Sequence, residues 1–173
     1  GYEWGKKGYE LLSPEMQASQ PGRMLKEKLD NLSRTEVGAM FPVVTVQNAE
    51  GEMVDLKLGD GKVYVIDFWA SWCGPCRAMM QELKEMYKIY RGKPIDFISI
   101  SLDNTKKAWL PAHEEEQIPW GSYWIEENFN SSIAKQLGIE AIPFIVVVDQ
   151  DGKIAGKNLR DEKLTGKINE LLK

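Results

Sequence analysis

Read for apolar periodicity, the chain divides into a helical opening and a longer mixed region. In residues 1 to about 34, Leu25, Leu29 and Leu32 share one helical face, and Ser13 followed by Pro14 forms a cap with proline in the first turn. They predict a helical lead-in, either an arm packed on the main domain or the stub of a neighbour. PVVTVQ and EMVDLKL then flank Asn48-Ala49-Glu50-Gly51, two strand-like runs about a Gly-containing loop, which predicts a β-hairpin. From Val63 the run VYVIDFWA is apolar almost without alternation, as in a strand covered on both faces by helices. Met79, Met80, Leu83, Met86, Tyr87 and Tyr90 recur at helical spacing opposite Glu82, Lys84, Glu85 and Lys88, predicting an amphipathic helix whose methionines pack a core. A second buried strand, IDFISIS, completes a β-α-β unit by Ser101.

Helix signals resume at Asn104, with Pro111 expected to break or kink that helix, and SSIAKQLG ends another at Gly138. FIVVVD and KIAGKN around Gln150-Asp151-Gly152 predict a second hairpin, and Leu164, Ile168, Leu171 and Leu172 a closing amphipathic helix. After the helical opening the predicted order is β-β-β-α-β-α-α-β-β-α. The segment from Asp103 to Leu137 therefore carries helices alone, with Trp109, Trp120, Trp124 and the sole histidine, His113. His113 lies in the acidic run AHEEEQ and reads as a solvated helix residue, while Asp149-Gln150-Asp151-Gly152 reads as a turn because the remaining ligands of a calcium loop are missing.

Composition narrows the classes. Apolar residues make up 43% and charged residues 28% of 173, an ordinary globular balance for one domain with chain left over for a helical segment at one end. The formal charge of −4 and the lack of a basic stripe argue against a nucleic-acid partner. Apolar stretches such as Ile142 to Val148 fall far short of a bilayer span, and the opening GYEWGKK has no signal-peptide core. Without an initiating Met, the chain reads as a mature or trimmed product whose targeting or anchoring segment has been removed.

The chemistry lies in DFWASWCGPCRAMM, which holds both cysteines. Tetrahedral zinc needs four Cys, His or carboxylate ligands, and one CxxC with one distant histidine does not supply a Cys/His set. Covalent haem would need His where Arg77 stands, and a peroxidatic cysteine would need Pro and Thr or Ser where Ile66 and Ala70 stand. As a structural disulfide, so short a loop would restrict the unfolded chain little. A reaction centre has a mechanism. A strand ending at Trp69 and a helix starting near Gly74 place Cys73 at a helix N-terminus, where free amides and the macrodipole stabilise a thiolate. Cys76, three positions on, lies within disulfide reach, and Pro75 is tolerated in the first turn. Cys73, ahead of the helix, is expected to be exposed, and Cys76 shielded. Asp67 lies in the apolar run before the motif: buried, its pKa would rise toward that of a general base, whereas at a solvated strand end it would be an ordinary carboxylate.

WCGPC after a buried strand, with AIPF ahead of a later strand, resembles the thioredoxin superfamily. The hairpin before VIDFWASWCGPC and the Trp-containing insert after SLD are similar to its TlpA and ResA type, the extracytoplasmic thiol-disulfide oxidoreductases, including Bacteroidetes forms with added N-terminal regions. The resemblance runs from about Val37 to Lys173, leaving 1–36 as a helical N-terminal extension before a thioredoxin-like domain of 37–173. It implies a three-layer α/β/α fold with a mixed central sheet and an N-terminal β-hairpin. It also implies roles. Cys73 would attack, Cys76 resolve, Asp67 assist proton transfer at Cys76, and Trp72, Gly74 and Pro75 shape the motif. Pro143 would be a cis proline beside the disulfide, with Ile142 offering its backbone to a substrate strand, though a strand-initial proline would suit that position equally.

Two departures stand out: Met79 and Gln81 occupy places that often hold an acidic residue and a proline in the TlpA and ResA type, and Phe144 and Ile145 follow Pro143 where Thr-Thr-Phe is common. The first shifts proton handling onto Asp67, and the second makes the rim more apolar. The implied activity is exchange with protein dithiols and disulfides, more as reductant than as oxidant, fed by an upstream thiol donor. No cofactor and no metal are implied, the setting is extracytoplasmic (periplasm), any membrane tether lies outside this chain, and a monomer is expected. A redox-responsive binding or sensor module without multiple turnover is the alternative.

Overall fold

The computed structural model describes residues 1–173. Three helices open the chain: α1 (Tyr2–Glu10), α2 (Pro14–Ala18) and α3 (Gln20–Ser33). Ser13 Oγ accepts from the Met16 amide at 3.2 Å and Ser19 Oγ from the Gly22 amide at 3.2 Å, so α2 and α3 each begin on a serine cap with proline in the first turn. The hairpin follows as β1 (Val44–Gln47) and β2 (Met53–Leu56), antiparallel across the Asn48–Gly51 loop. Next come β3 (Val63–Trp69), α4 (Gly74–Ile89), β4 (Ile95–Ser101), α5 (Lys106–Glu116) and β5 (Gly121–Trp124). A 3-10 turn at Asn128–Asn130, α6 (Ser132–Leu137), the hairpin β6 (Phe144–Val148) and β7 (Ile154–Lys157), and α7 (Asp161–Leu171) complete the chain.

All seven strands form one sheet in the order β2-β1-β5-β4-β3-β6-β7. Every residue of β3 is buried, which is why its sequence shows no alternation. It runs parallel to β4 and antiparallel to β6, so the sheet is mixed. Alternate side chains of β3 feed two cores. Val63, Val65 and Trp69 pack with Met80 and Leu83 of α4, Trp109 of α5 and Leu164 and Ile168 of α7. Tyr64, Ile66 and Phe68 face Ile133 and Leu137 of α6, with Phe41 and the hairpin residues Val44, Val46 and Leu56. The result is the expected α/β/α layering, with each fully buried aliphatic or aromatic side chain contributing about 1.5–3 kcal/mol. The opening helices add to the second face: α3 lies on α6, Thr35 Oγ1 donates to the Gln136 carbonyl, and Leu32 touches the site where Gly138, at φ +69°, would carry a Cβ.

One sequence expectation fails here, and the break that was the first alternative of another does not occur. β5 is a strand inside the segment read as purely helical. GSYW is only four residues long, and what makes it a strand is parallel pairing with β4 and a bridge from Gln47 to Trp124. Pro111 neither ends nor breaks α5, which runs from the Thr105 cap to Gln117 in a left-handed conformation. Pro111 faces solvent while Trp109, Ala112 and Glu116 are buried. The ring therefore displaces no packing, and the buried face outweighs one missing amide donor.

Candidate active site

The strand-to-helix junction places both cysteines. Cys73 is the N-cap of α4, with the Cys76 amide 3.2 Å from its Sγ, and the two residues form an internal disulfide with Cα atoms 5.2 Å apart. Cys73 Sγ also lies 3.8 Å from the carbonyl oxygen of Ile142, which precedes Pro143 across a cis peptide bond. Arg160 Nη2 donates to the Pro143 carbonyl at 2.7 Å, tying the start of α7 to this loop. Trp72 stands 64% exposed at the rim, and Gly74 and Pro75 are exposed beside it. Cys73 is less open than its place ahead of the helix predicts: it is only 5% exposed, because Cys76 and the Ile142 loop cover its sulfur. Cys76 is fully buried, so the order of accessibility holds although the degree does not.

Asp67 shares the face of β3 that carries Val65 and Trp69, the face on which α4 packs. It is 1% exposed. Ser99 Oγ approaches its Oδ2 at 3.4 Å, while Oδ1 has no partner, and Trp120 Nε1 donates to the same Ser99 hydroxyl at 2.8 Å. Burial in this apolar layer pushes the Asp67 carboxyl up to about 7, with the Ser99 hydrogen bond acting the other way. His113 is not the solvated residue its acidic run suggests. It is half-buried, with Nδ1 3.0 Å from Ser122 Oγ and its ring 5.0 Å from that of Trp109, since β5 lies alongside α5.

Sequence reasoning overlooked four side chains that frame the motif. Asp103 is fully buried just past β4 and accepts from the Ser71 amide at 2.9 Å, the Ser71 hydroxyl at 2.6 Å and the Ser101 hydroxyl at 2.6 Å. Arg77 donates to the Ser71 carbonyl at 3.3 Å and pairs with Glu115 at 2.8 Å and with Glu116. Glu116 is 6% exposed and also accepts from Gln81 at 2.9 Å and Lys84 at 3.2 Å. The available signal was a polar SLD tail on a buried strand, but Ser71 and Asp103 are 32 residues apart in the chain.

A thioredoxin-like family profile matches residues 60–154, a stretch containing both cysteines and Pro143. The chain belongs to the thioredoxin-like family. It is 26% identical over 140 residues to the thiol-disulfide oxidoreductase ResA of Bacillus thuringiensis, an alignment covering 81% of this chain and 79% of that protein. ResA of Oceanobacillus iheyensis is 33% identical over 128 residues, covering 72% of this chain and 65% of the relative. Among solved structures, a thiol-disulfide oxidoreductase from Bacteroides fragilis superposes with a TM-score of 0.69 at 31% identity, over 77% of this chain and 99% of that one. The thioredoxin domain of a thiol-disulfide oxidoreductase from Bacteroides vulgatus gives 0.71 at 26% identity, over 80% and 99%. With such relatives and an internal CxxC disulfide at the head of α4, this protein is a thiol-disulfide oxidoreductase of the TlpA and ResA type.

Proposed function

We propose that the protein works as a reductant of protein disulfides. The reading rests chiefly on one observation: Cys73 Sγ caps α4 while facing the Ile142 carbonyl of the cis-proline loop. Reduced, Cys73 is the thiolate that attacks a substrate disulfide. One S–S bond breaks, a mixed disulfide with Cys73 forms, and the other substrate sulfur leaves as a thiol. Cys76 then attacks Cys73 Sγ, its proton passing toward Asp67, and the second substrate sulfur departs as the internal disulfide closes. The Ile142 backbone holds the substrate strand, Trp72 supplies an apolar rim, and Gly74 and Pro75 fix the turn between the two sulfurs. A thiol donor upstream of this chain reopens the disulfide.

The Gly-Pro pair between the cysteines resembles reducing thioredoxins and supports this direction. The relation to ResA supports an extracytoplasmic location, periplasmic and tethered through a segment outside this chain. No helix here is long and apolar enough to cross a membrane. We also propose that the catalytic unit is residues 37–173, acting as a monomer, with 1–36 an extension upon it.

Insulin reduction with dithiothreitol as donor tests the reading. The unaltered protein turns over many times per molecule, and Cys73→Ser abolishes turnover. Cys76→Ser retains attack at Cys73 but stops after it, accumulating substrate as a mixed disulfide visible by mass spectrometry. A single change of redox state with no turnover would instead identify a sensor module.

A further inference from the structure

Ser71 is held at every polar atom it has. Its amide and hydroxyl both donate to Asp103, through Oδ2 at 2.9 Å and Oδ1 at 2.6 Å, and its carbonyl accepts from Arg77 Nη1 at 3.3 Å. Neither anchor is free to drift. Asp103 is fixed by the Ser101 hydroxyl at 2.6 Å and, through its carbonyl, by Trp124 Nε1 at 2.8 Å. Arg77 is fixed by Glu115 and the buried Glu116, which Gln81 and Lys84 also hold. Only the exposed Trp72 separates this clamped residue from Cys73, so packing against Trp72 does little to hold the turn in place.

We propose that Asp103 and Arg77 are positioning residues that clamp Ser71, and thereby keep the Cys73 sulfur seated on the N-terminus of α4. Cys73 Sγ has the Cys76 amide 3.2 Å away, and thiolate stabilisation by a helix terminus requires that such amides keep pointing at the sulfur. The effect falls off within the first turn, so a displacement of about 1 Å weakens it and spoils the line of attack on a bound disulfide. The clamp draws on the ends of β4, β5 and α5 as well as α4 itself, so residues from four elements set the reactivity of one thiol. The inference rests on the assignment of Cys73 as the attacking thiol.

The test is the pH dependence of iodoacetamide alkylation in the reduced 173-residue chain, with the alkylated residue located by mass spectrometry. Variants are Ser71→Ala, Ser71→Thr, Asp103→Asn and the double change Ser71→Ala with Asp103→Asn, each checked by far-UV circular dichroism and thermal unfolding. Ser71→Ala and Asp103→Asn are expected to move the Cys73 profile up by about one pH unit, roughly a tenfold loss of rate near pH 7. Ser71→Thr, which keeps the hydroxyl, restores the parent profile. The double variant is no slower than the worse single, because both remove the same bond. Should Asp103→Asn fail to fold, the Ser71→Ala and Ser71→Thr pair decides alone. Folded variants with lowered melting temperature but an unmoved profile, or strictly additive losses, would overturn the clamp. Alkylation of the unaltered protein first at Cys76 would overturn both the nucleophile assignment and the clamp, whereas a moved profile without insulin turnover would overturn only the reductase reading.

Discussion

Asp67 is where a single residue carries the most opposed demands. It sits in a strand buried from end to end, with one oxygen unpartnered, so its neutral form is favoured and its pKa rises to about 7. The consequence for stability has a definite sign. A carboxyl raised in the folded state and ordinary in the unfolded one, at about 4, contributes stability that is fully present below pH 4 and lost as pH climbs through about 7. Asp67→Asn should therefore match the parent near pH 4 and exceed it above pH 7 by up to about 4 kcal/mol, measured by denaturant unfolding with the disulfide intact. The same variant should reduce insulin about tenfold more slowly at neutral pH, because an amide does not accept the Cys76 proton. A stability difference between Asp67→Asn and the parent that does not grow from pH 5 to pH 8 would contradict the burial argument, and an unchanged pH-rate profile would contradict the proton-transfer role.

At the scale of elements, local and tertiary forces part company most clearly in α5 and α4. The start of α4 was legible because its determinants are close in sequence: an apolar strand, a short turn, and amphipathic spacing with Met79, Met80 and Leu83 on the buried side. For α5 the local rule misleads. Proline inside a helix costs an amide donor and crowds the preceding carbonyl, yet burial of Trp109, Ala112 and Glu116 holds the helix together. Pro111→Ala should thus stabilise the protein by about 1–2 kcal/mol, since it restores the amide at an exposed position where no packing is lost. Thermal unfolding measures this, and a lower melting temperature would mean that the proline ring makes a contact the helix needs. β5 makes the converse point. Its four residues become a strand only between β4 and β1, partners that lie distant in the chain.

At the scale of the molecule, the opening helices and the active site occupy different parts of the structure. The helix α3 rests on α6 through Thr35 and Gln136, the Lys28 to Glu140 ion pair, and the contact of Leu32 with Gly138. The hydrogen bonds around Cys73, Ser71 and Pro143 draw only on residues from 70 onward. Removal of residues 1–36 should accordingly leave a folded chain that still reduces insulin within about threefold of the parent rate. It should cost about 2–4 kcal/mol of stability, through the buried Leu29 and the Thr35 hydrogen bond. Circular dichroism and the insulin assay check this together, and a truncated chain that is folded but inactive would place the extension within the working site.

Cysteines three apart at the boundary between an apolar strand and an amphipathic helix determine, from sequence alone, that a thiolate can form there and close onto its neighbour. The contributing groups lie within one turn, and the helix field acts over that same distance. An acidic residue in an uninterrupted apolar run marked Asp67 as a candidate, and its burial in the sheet chose between an unusual carboxyl and a solvated one. What those groups meet was decided only in three dimensions. Register between β3 and β4 puts Ser99 opposite Asp67, and the turn after β4 brings Asp103 back under Ser71. The end of α5 delivers Glu116 to Arg77, and the loop before β6 covers Cys73. These contacts join segments far apart in the chain and depend on strand pairing and helix packing set by both cores, so no local pattern of residues could encode them.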